Sequence, residues 1–219
     1  MLNNHLNKLE RKFGKFAISN LMLYIVLGMG VIYAAELILS ANPNNTINLY
    51  SMLIFSKYHI MQGEVWRILS FVLLPVNSSF ILLSILVLYF YWWMGEALER
   101  RWGSFKFNIF YFTGIIGCII AGFIIGFATN TYLNLSLFLA FAILFPDEEI
   151  LLFFVLPIKV KWVGLVDAVV IGADFVRGST NTRIFILLSL ANLFLFFGKD
   201  MFTGCYYAAR RYYHKISKK

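Results

Sequence analysis

Gly95-Glu96-Ala97-Leu98-Glu99-Arg100-Arg101-Trp102-Gly103-Ser104 sets four charges within six residues, between two long apolar runs. Ile68 to Met94 precedes it and Asn108 to Asn130 follows it, and neither run contains Asp, Glu, Lys or Arg. Each exceeds the roughly 20 residues that a helix needs to cross a hydrocarbon core about 30 Å thick. The charged stretch therefore reads as a short turn at a membrane face. Trp92, Trp93 and Trp102 flank it, and indole rings settle in the same headgroup layer as charges.

Composition points the same way. The 219 residues are 60% hydrophobic and 14% charged, with a mean hydropathy of +0.75, whereas a soluble domain carries about a quarter charged residues. The net charge of +8 comes from Lys and Arg beside the apolar runs, so it marks membrane topology and no nucleic-acid partner is expected. Two cysteines, Cys118 and Cys205, make neither a disulfide framework nor a structural zinc site. No metal or cofactor is expected. No cleavable signal peptide is expected either, because the first apolar run is too long for one and lacks a small-residue cleavage site.

Working outward, residues 1–16 read as a basic amphipathic segment. Lys8, Arg11, Lys12 and Lys15 accompany Leu2, Leu6, Leu9, Phe13 and Phe16 at helical spacing, which suits an anionic lipid surface. Residues 17–200 form the membrane domain and 201–219 a basic tail. The first membrane helix is expected over Ala17 to Leu39, followed by the turn-rich Ala41 to Thr46. Residues 47–67 carry Lys57, His59, Gln62, Glu64 and Arg67 and are expected to lie at the interface. Ile68 to Met94 is the second helix, with a loop signal at Pro75 to Ser79. Phe105 to Asn130 is the third. Tyr132 to Phe145 is a short fourth, about fourteen residues, that crosses only if protein surrounds it. Ile150 to Pro157 has strand length. Trp162 to Phe175 and Ile184 to Phe197 are the fifth and sixth.

Six crossings place both termini on one side. That side holds fifteen Lys and Arg, and the other holds Lys57, Arg67, Arg177 and Arg183. The positive-inside rule puts both termini in the cytoplasm. Abundant Asn, Lys and Ile suit an A·T-rich bacterial genome, so a bacterial plasma membrane is expected.

Several side chains stand out. Gly114, Cys118, Gly122 and Gly126 recur every four residues, a small-residue stripe that lets helices pack closely in lipid. Asp167 lies within the fifth helix, where a carboxylate needs a partner, water or a proton. Asn192 is polar in the sixth and is read as glue between helices. Glu96, Glu99, Arg100 and Arg101 are read as an ion-pair network that fixes the turn.

Trp66-Arg67 ahead of the second helix, Gly95, Glu99, Arg100 and Gly103 in the charged stretch, and Leu144-Phe145-Pro146 after the fourth resemble the rhomboid superfamily. So does Ile150 to Trp162. The resemblance covers roughly residues 60–200. It implies an all-α integral membrane protein, a six-transmembrane-helix bundle with a short central fourth helix. Trp66 and Arg67 would hold the interfacial loop.

Rhomboid proteases use a serine in Gly-x-Ser-Gly and a histidine after alanine. The first position falls near Thr131 and Tyr132, and the second is Asn192, after Ala191. No Gly-x-Ser-Gly occurs, and His5, His59 and His214 lie outside the expected helices. A serine nucleophile needs an adjacent base. The expectation is a pseudoprotease that binds transmembrane segments of client proteins, as inactive relatives do in membrane-protein quality control. The alternatives are a protease with a displaced site, perhaps at Ser136, and a small transporter or channel centred on Asp167.

Overall fold

The computed structural model describes residues 2–42, 47–76, 80–152 and 156–197. The basic tail 201–219, with Cys205 and His214, lies outside these, as do residues 43–46 and 77–79 of the two expected loops.

The chain is mostly helical. α1 (Leu2–Phe13) and a 3-10 turn (Gly14–Phe16) lead into α2 (Leu21–Ser40). The segment expected at the interface holds α3 (Leu49–Leu53), the two-residue strand β1 (Phe55–Ser56), α4 (Lys57–Met61) and α5 (Arg67–Ser70). Then come α6 (Ile81–Trp102), α7 (Ser104–Ile125), β2 (Phe127–Ala128) and α8 (Thr131–Leu144). A hairpin of β3 (Glu149–Leu152) and β4 (Leu156–Lys159) precedes α9 (Val160–Arg177) and α10 (Thr180–Ser189). α11 (Ala191–Phe197) continues α10 after a 44° bend.

By length and apolarity α2, α6 and α7 can each cross a membrane, and the α10–α11 pair makes a fourth candidate. The apolar faces left exposed on these helices, such as Leu27, Val31 and Ile38 on α2, would be costly in water and natural in lipid.

Of the boundaries that differ from the sequence reading, two change the architecture. The second helix does not begin at Ile68. α5 and a 3-10 turn (Phe71–Leu73) come first, and α6 starts at Ile81. Pro75 explains this: it lacks an N–H and forces an extended residue before it, and Leu74 sits at φ −61°, ψ 119°. At the other end, the charged stretch is not itself the turn. α6 runs through it to Trp102, and Gly103, at φ +84°, is the whole connection. Glu, Ala, Leu and Arg are strong helix formers, and Glu96 pairs with Arg100 one turn on, at 2.6 Å, so nothing stops the helix before glycine.

α7 is central. It packs on α6, α8 and α10, and its buried residues include Phe107, Phe110, Tyr111, Ile115, Cys118 and Ala121. α2 lies against α6, and its Met22, Ile25 and Met29 are buried. Met22 sits so close to Gly95 that a Cβ there would overlap it. α8 is fourteen residues, about 21 Å at 1.5 Å per residue, and it is surrounded by α6, α7, α9 and α10. At one end, Trp102 meets Phe196 and Phe197 at 5.4 and 5.6 Å, and Glu10 of α1 pairs with Lys106 at 3.5 Å. This brings the start of the chain and the end of α11 together beside Gly103. At the other end β1 pairs antiparallel with β2, Phe55 opposite Ala128, which ties the interfacial segment to the end of α7.

Candidate functional site

The most informative contact joins α8 to α11. Asn192 Nδ2 donates to Ser136 Oγ at 2.9 Å, and Ser136 Oγ donates to the Leu133 carbonyl at 2.7 Å. Both residues are 0% exposed. The hydroxyl hydrogen is thus committed to the backbone one turn back, a usual arrangement for serine inside a helix. Its partner is an amide NH2, which donates and cannot take a proton. The pair holds two helices together and has no base.

Thr131 and Tyr132 are not part of this contact. Both open α8, five and four residues before Ser136. Thr131 is exposed and shares a hydrogen bond with Thr129 at 3.1 Å. The Tyr132 hydroxyl donates to Asp174 Oδ2 at 3.4 Å, and its ring meets Phe185 edge-on at 5.3 Å. They line an outer cleft of about 390 Å³ with Thr129, Ser179, Asn181 and Thr182. Asn192 therefore faces a residue one helical turn beyond Thr131 and Tyr132.

Two further polar residues carry buried oxygens without a hydrogen-bond partner. Asn134 lies on α8 and Asp167 on α9. Asn134 is buried, and its Oδ1 has no hydrogen-bond partner. Asp167 is half-buried, and its buried Oδ2 has none either. Sequence reasoning named Asp167 and Asn192 but missed Asn134. Asn134 carried a usable signal, a carboxamide in an otherwise apolar helix.

The small-residue stripe serves packing at three of its four positions. A Cβ on Gly114 would lie 2.5 Å from Leu133 Cδ1 and 2.7 Å from Asn192 Nδ2. Cys118 Sγ donates to Ser189 Oγ at 3.4 Å. A Cβ on Gly122 would meet the Phe55 ring at 2.5 Å. Gly126 does something else: at φ +108° it ends α7, with open space around it. The closest approach belongs to Gly117, outside the stripe, whose Cβ would overlap the Leu188 carbonyl oxygen.

Arg67 and Trp66 behave differently from each other. Arg67 is 5% exposed and bonds Glu64 Oε2 at 2.5 Å, the Ser51 carbonyl at 2.7 Å and the Ile54 carbonyl at 3.2 Å. It fastens α3 and the approach to β1 onto α5. Trp66 is 53% exposed, so of the two it is arginine that fastens, helped by Ser70 Oγ, which donates to the Leu53 carbonyl at 2.9 Å. In the charged stretch, Glu99 Oε1 accepts from Asn20 N at 2.8 Å and Ser104 Oγ at 2.6 Å. Its role is to join the start of α2 to the start of α7, while Glu96 and Arg100 form the ion pair.

One serine and one histidine do meet. Ser56 Oγ and His59 Nδ1 lie 2.9 Å apart at the start of α4. Among the described residues no carboxylate orients that ring, and Tyr58 packs edge-on against it at 5.3 Å. Also among the described residues, no group of three His, Cys, Asp or Glu is placed to hold a metal ion.

No family model matches the chain, and no curated protein or solved structure is significantly similar to it.

Proposed function

We propose that this chain is a non-catalytic, rhomboid-like six-helix membrane protein that binds transmembrane segments of client proteins. The observation that carries the reading is the buried Ser136–Asn192 bond at 2.9 Å. It couples the short central helix to the last one, where a protease of this design would hold its serine and histidine, and it leaves the hydroxyl without a base. Supporting this, α6 and α9 each pack on α8 but have no substantial packing on each other. The short α8 is thereby left less enclosed between them, on the side where a client helix would enter. Both termini face the cytoplasm in this reading, which the clustering of basic residues supports.

The test combines a transmembrane reporter with a fluorophosphonate probe on the purified protein. The expected result is no cleavage and no labelling at Ser136 beside an active control, together with crosslinks to single-span proteins from a photoreactive residue at Tyr132. Cleavage that disappears in Ser136→Ala would overturn the reading. Cleavage that disappears only in Ser56→Ala or His59→Ala would move the chemistry to the interfacial pair. The transporter alternative draws on Asp167 alone, and solute flux into proteoliposomes would be its signature.

A further inference from the structure

We infer that the groove between α9 and the α10–α11 pair is a binding site for an anionic phospholipid, with an acyl chain in the groove and the phosphate at Arg183 and Arg177. The inference needs α9 and α10–α11 in the bilayer and is independent of client binding.

The groove has a volume of about 310 Å³. Ile171 of α9, Ile186 of α10 and Leu190 form a buried cluster along it, and Phe175 and Phe194 line it while staying exposed. No lining side chain is charged or can form a hydrogen bond. Residues 168 to 175 line the α9 bank, which spans roughly 10 Å at about 1.5 Å per residue. The gap has a cause in the fold. α10 and α11 meet at 44°, with Leu190 at the corner, while α9 is a single helix. A bent pair does not follow one helix along its whole length. Gly172 widens the gap, since nothing lies within 4 Å of where its Cβ would be. Empty apolar space forfeits contacts, and in a bilayer a hydrocarbon chain is at hand to restore them.

The end of the groove selects the lipid. Arg183 Nε donates to the Phe175 carbonyl and Nη2 to the Val176 carbonyl, at 2.9 Å each. The guanidinium is thereby anchored beside Phe175, and these bonds use two of its five N–H groups. Arg177 closes α9 just beyond, and both arginines are exposed. Asp174, the one carboxylate between residues 174 and 183, accepts the Tyr132 hydroxyl at 3.4 Å. Phosphate oxygens match the fork of donors that arginine presents, and the chain attached to that phosphate can run into the groove. A client helix fits less well. With side chains it is about 10–12 Å across, so it would rest over a crevice between two packed helices and leave the space at Gly172 empty.

The experiment uses the full chain in phosphatidylcholine nanodiscs that contain a trace of phosphatidylglycerol or phosphatidylcholine, each carrying the same diazirine-labelled acyl chain. Crosslinks are mapped by mass spectrometry. Labelling of the groove residues between 168 and 194 is expected to be about fivefold higher with phosphatidylglycerol, the scale of one arginine beside an anionic lipid. This comparison is made on the unaltered protein, so it does not depend on a variant folding. Arg177→Gln combined with Arg183→Gln should bring the two lipids level. Gly172→Leu, which builds into open space, should suppress groove labelling by both lipids and leave labelling of α1 unchanged. Equal labelling by the two lipids in the unaltered chain would make the groove a surface wetted by bulk lipid and overturn the inference. Groove labelling that survives Gly172→Leu, or a preference that survives the arginine changes, would overturn it as well. Labelling of α1 with none in the groove would show the groove covered by a helix of a partner or a second copy, and would also overturn it.

Discussion

At the scale of single residues, close packing and buried polar contacts make different demands, and both can be measured. Gly117 lies against the Leu188 carbonyl oxygen, backbone that cannot swing away. Gly117→Ala should cost on the order of 1–3 kcal/mol through forced displacement, seen as a lower unfolding temperature in detergent. Gly172 has open space around it within α9, so Gly172→Ala should be neutral or gain up to about 1 kcal/mol from helix propensity. Equal effects at the two sites would show that α7 and α10 are not packed this tightly. Arg67 gives a second contrast. Arg67→Ala leaves Glu64 and two carbonyls without their buried donor and should cost roughly 3–5 kcal/mol. Trp66→Ala, at an exposed site, should stay within about 0.5 kcal/mol. Comparable losses would contradict the assignment of the fastening to arginine. From sequence alone the dipeptide was legible as a unit. Only packing separates its members, because exposure depends on which face of a four-residue helix turns inward.

Elements were legible where a local signal fixes them. The short α8 stands within one residue of its expected ends, because Pro146 and the acidic residues after it stop the apolar run. The start of α10 was hidden. Arg183 suggested a loop, yet it sits in the helix and donates to the Phe175 and Val176 carbonyls at 2.9 Å each, closing the end of α9. Ser179 starts α10 by accepting from Thr182 N at 3.3 Å, the hydroxyl cap that helix starts favour. The bend between α10 and α11 had no signal, since neither Pro nor Gly lies there. The β3–β4 hairpin shows how an element is held from outside. Asp147 receives Lys161 Nζ at 3.1 Å and lies 3.7 Å from Lys159. The hydrogen bond and charge of Lys161 hold the Asp147 carboxyl below its ordinary value of 3.8. A carboxylate lowered on folding contributes stability that is fully present above its unfolded pKa and is lost as pH falls through the folded one. The Val160 and Lys161 amides, bonded to Glu148 and Pro146 carbonyls, report on this base. Their exchange protection, compared with Asp147→Asn, should show an advantage for the native carboxylate that is constant from neutral pH to about 4 and shrinks below it. An advantage that grew with acid would mean the lysines do not hold the carboxylate. The effect should be small, since the pair is exposed and water and salt screen it.

At the scale of the whole molecule, the question is how many of the helices cross the bilayer. Hydropathy alone recognises α2, α6, α7 and the bent α10–α11 pair. α8 is too short, and α9 carries Lys161, Asp167, Asp174 and Arg177, so an apolarity test passes over both. The contacts supply what composition omits. α8 is walled by other helices, and a protein-surrounded helix need not match the full hydrocarbon thickness. In α9 the charges other than Asp167 sit within the first two residues or the last turn, where long side chains reach headgroups. Both helices thus have a physical route across, and in the proposed six-crossing arrangement the charged end of α6 and the α8–α9 connection share one side. In a cysteine-free background, single cysteines at Arg101 and Asp147 should then react with a membrane-impermeant thiol reagent only after the cytoplasmic face is opened. Cysteines at Lys57 and Asn181 should react in intact cells. If Asp147 and Asn181 labelled from the same side, α9 would lie along the membrane. α10–α11 would then cross from the wrong face, and the Ser136–Asn192 pairing would have to be reached by another route. Labelling of those two sites from opposite faces would fix the passage of α9, and with it the depth at which Asp167 meets the bilayer.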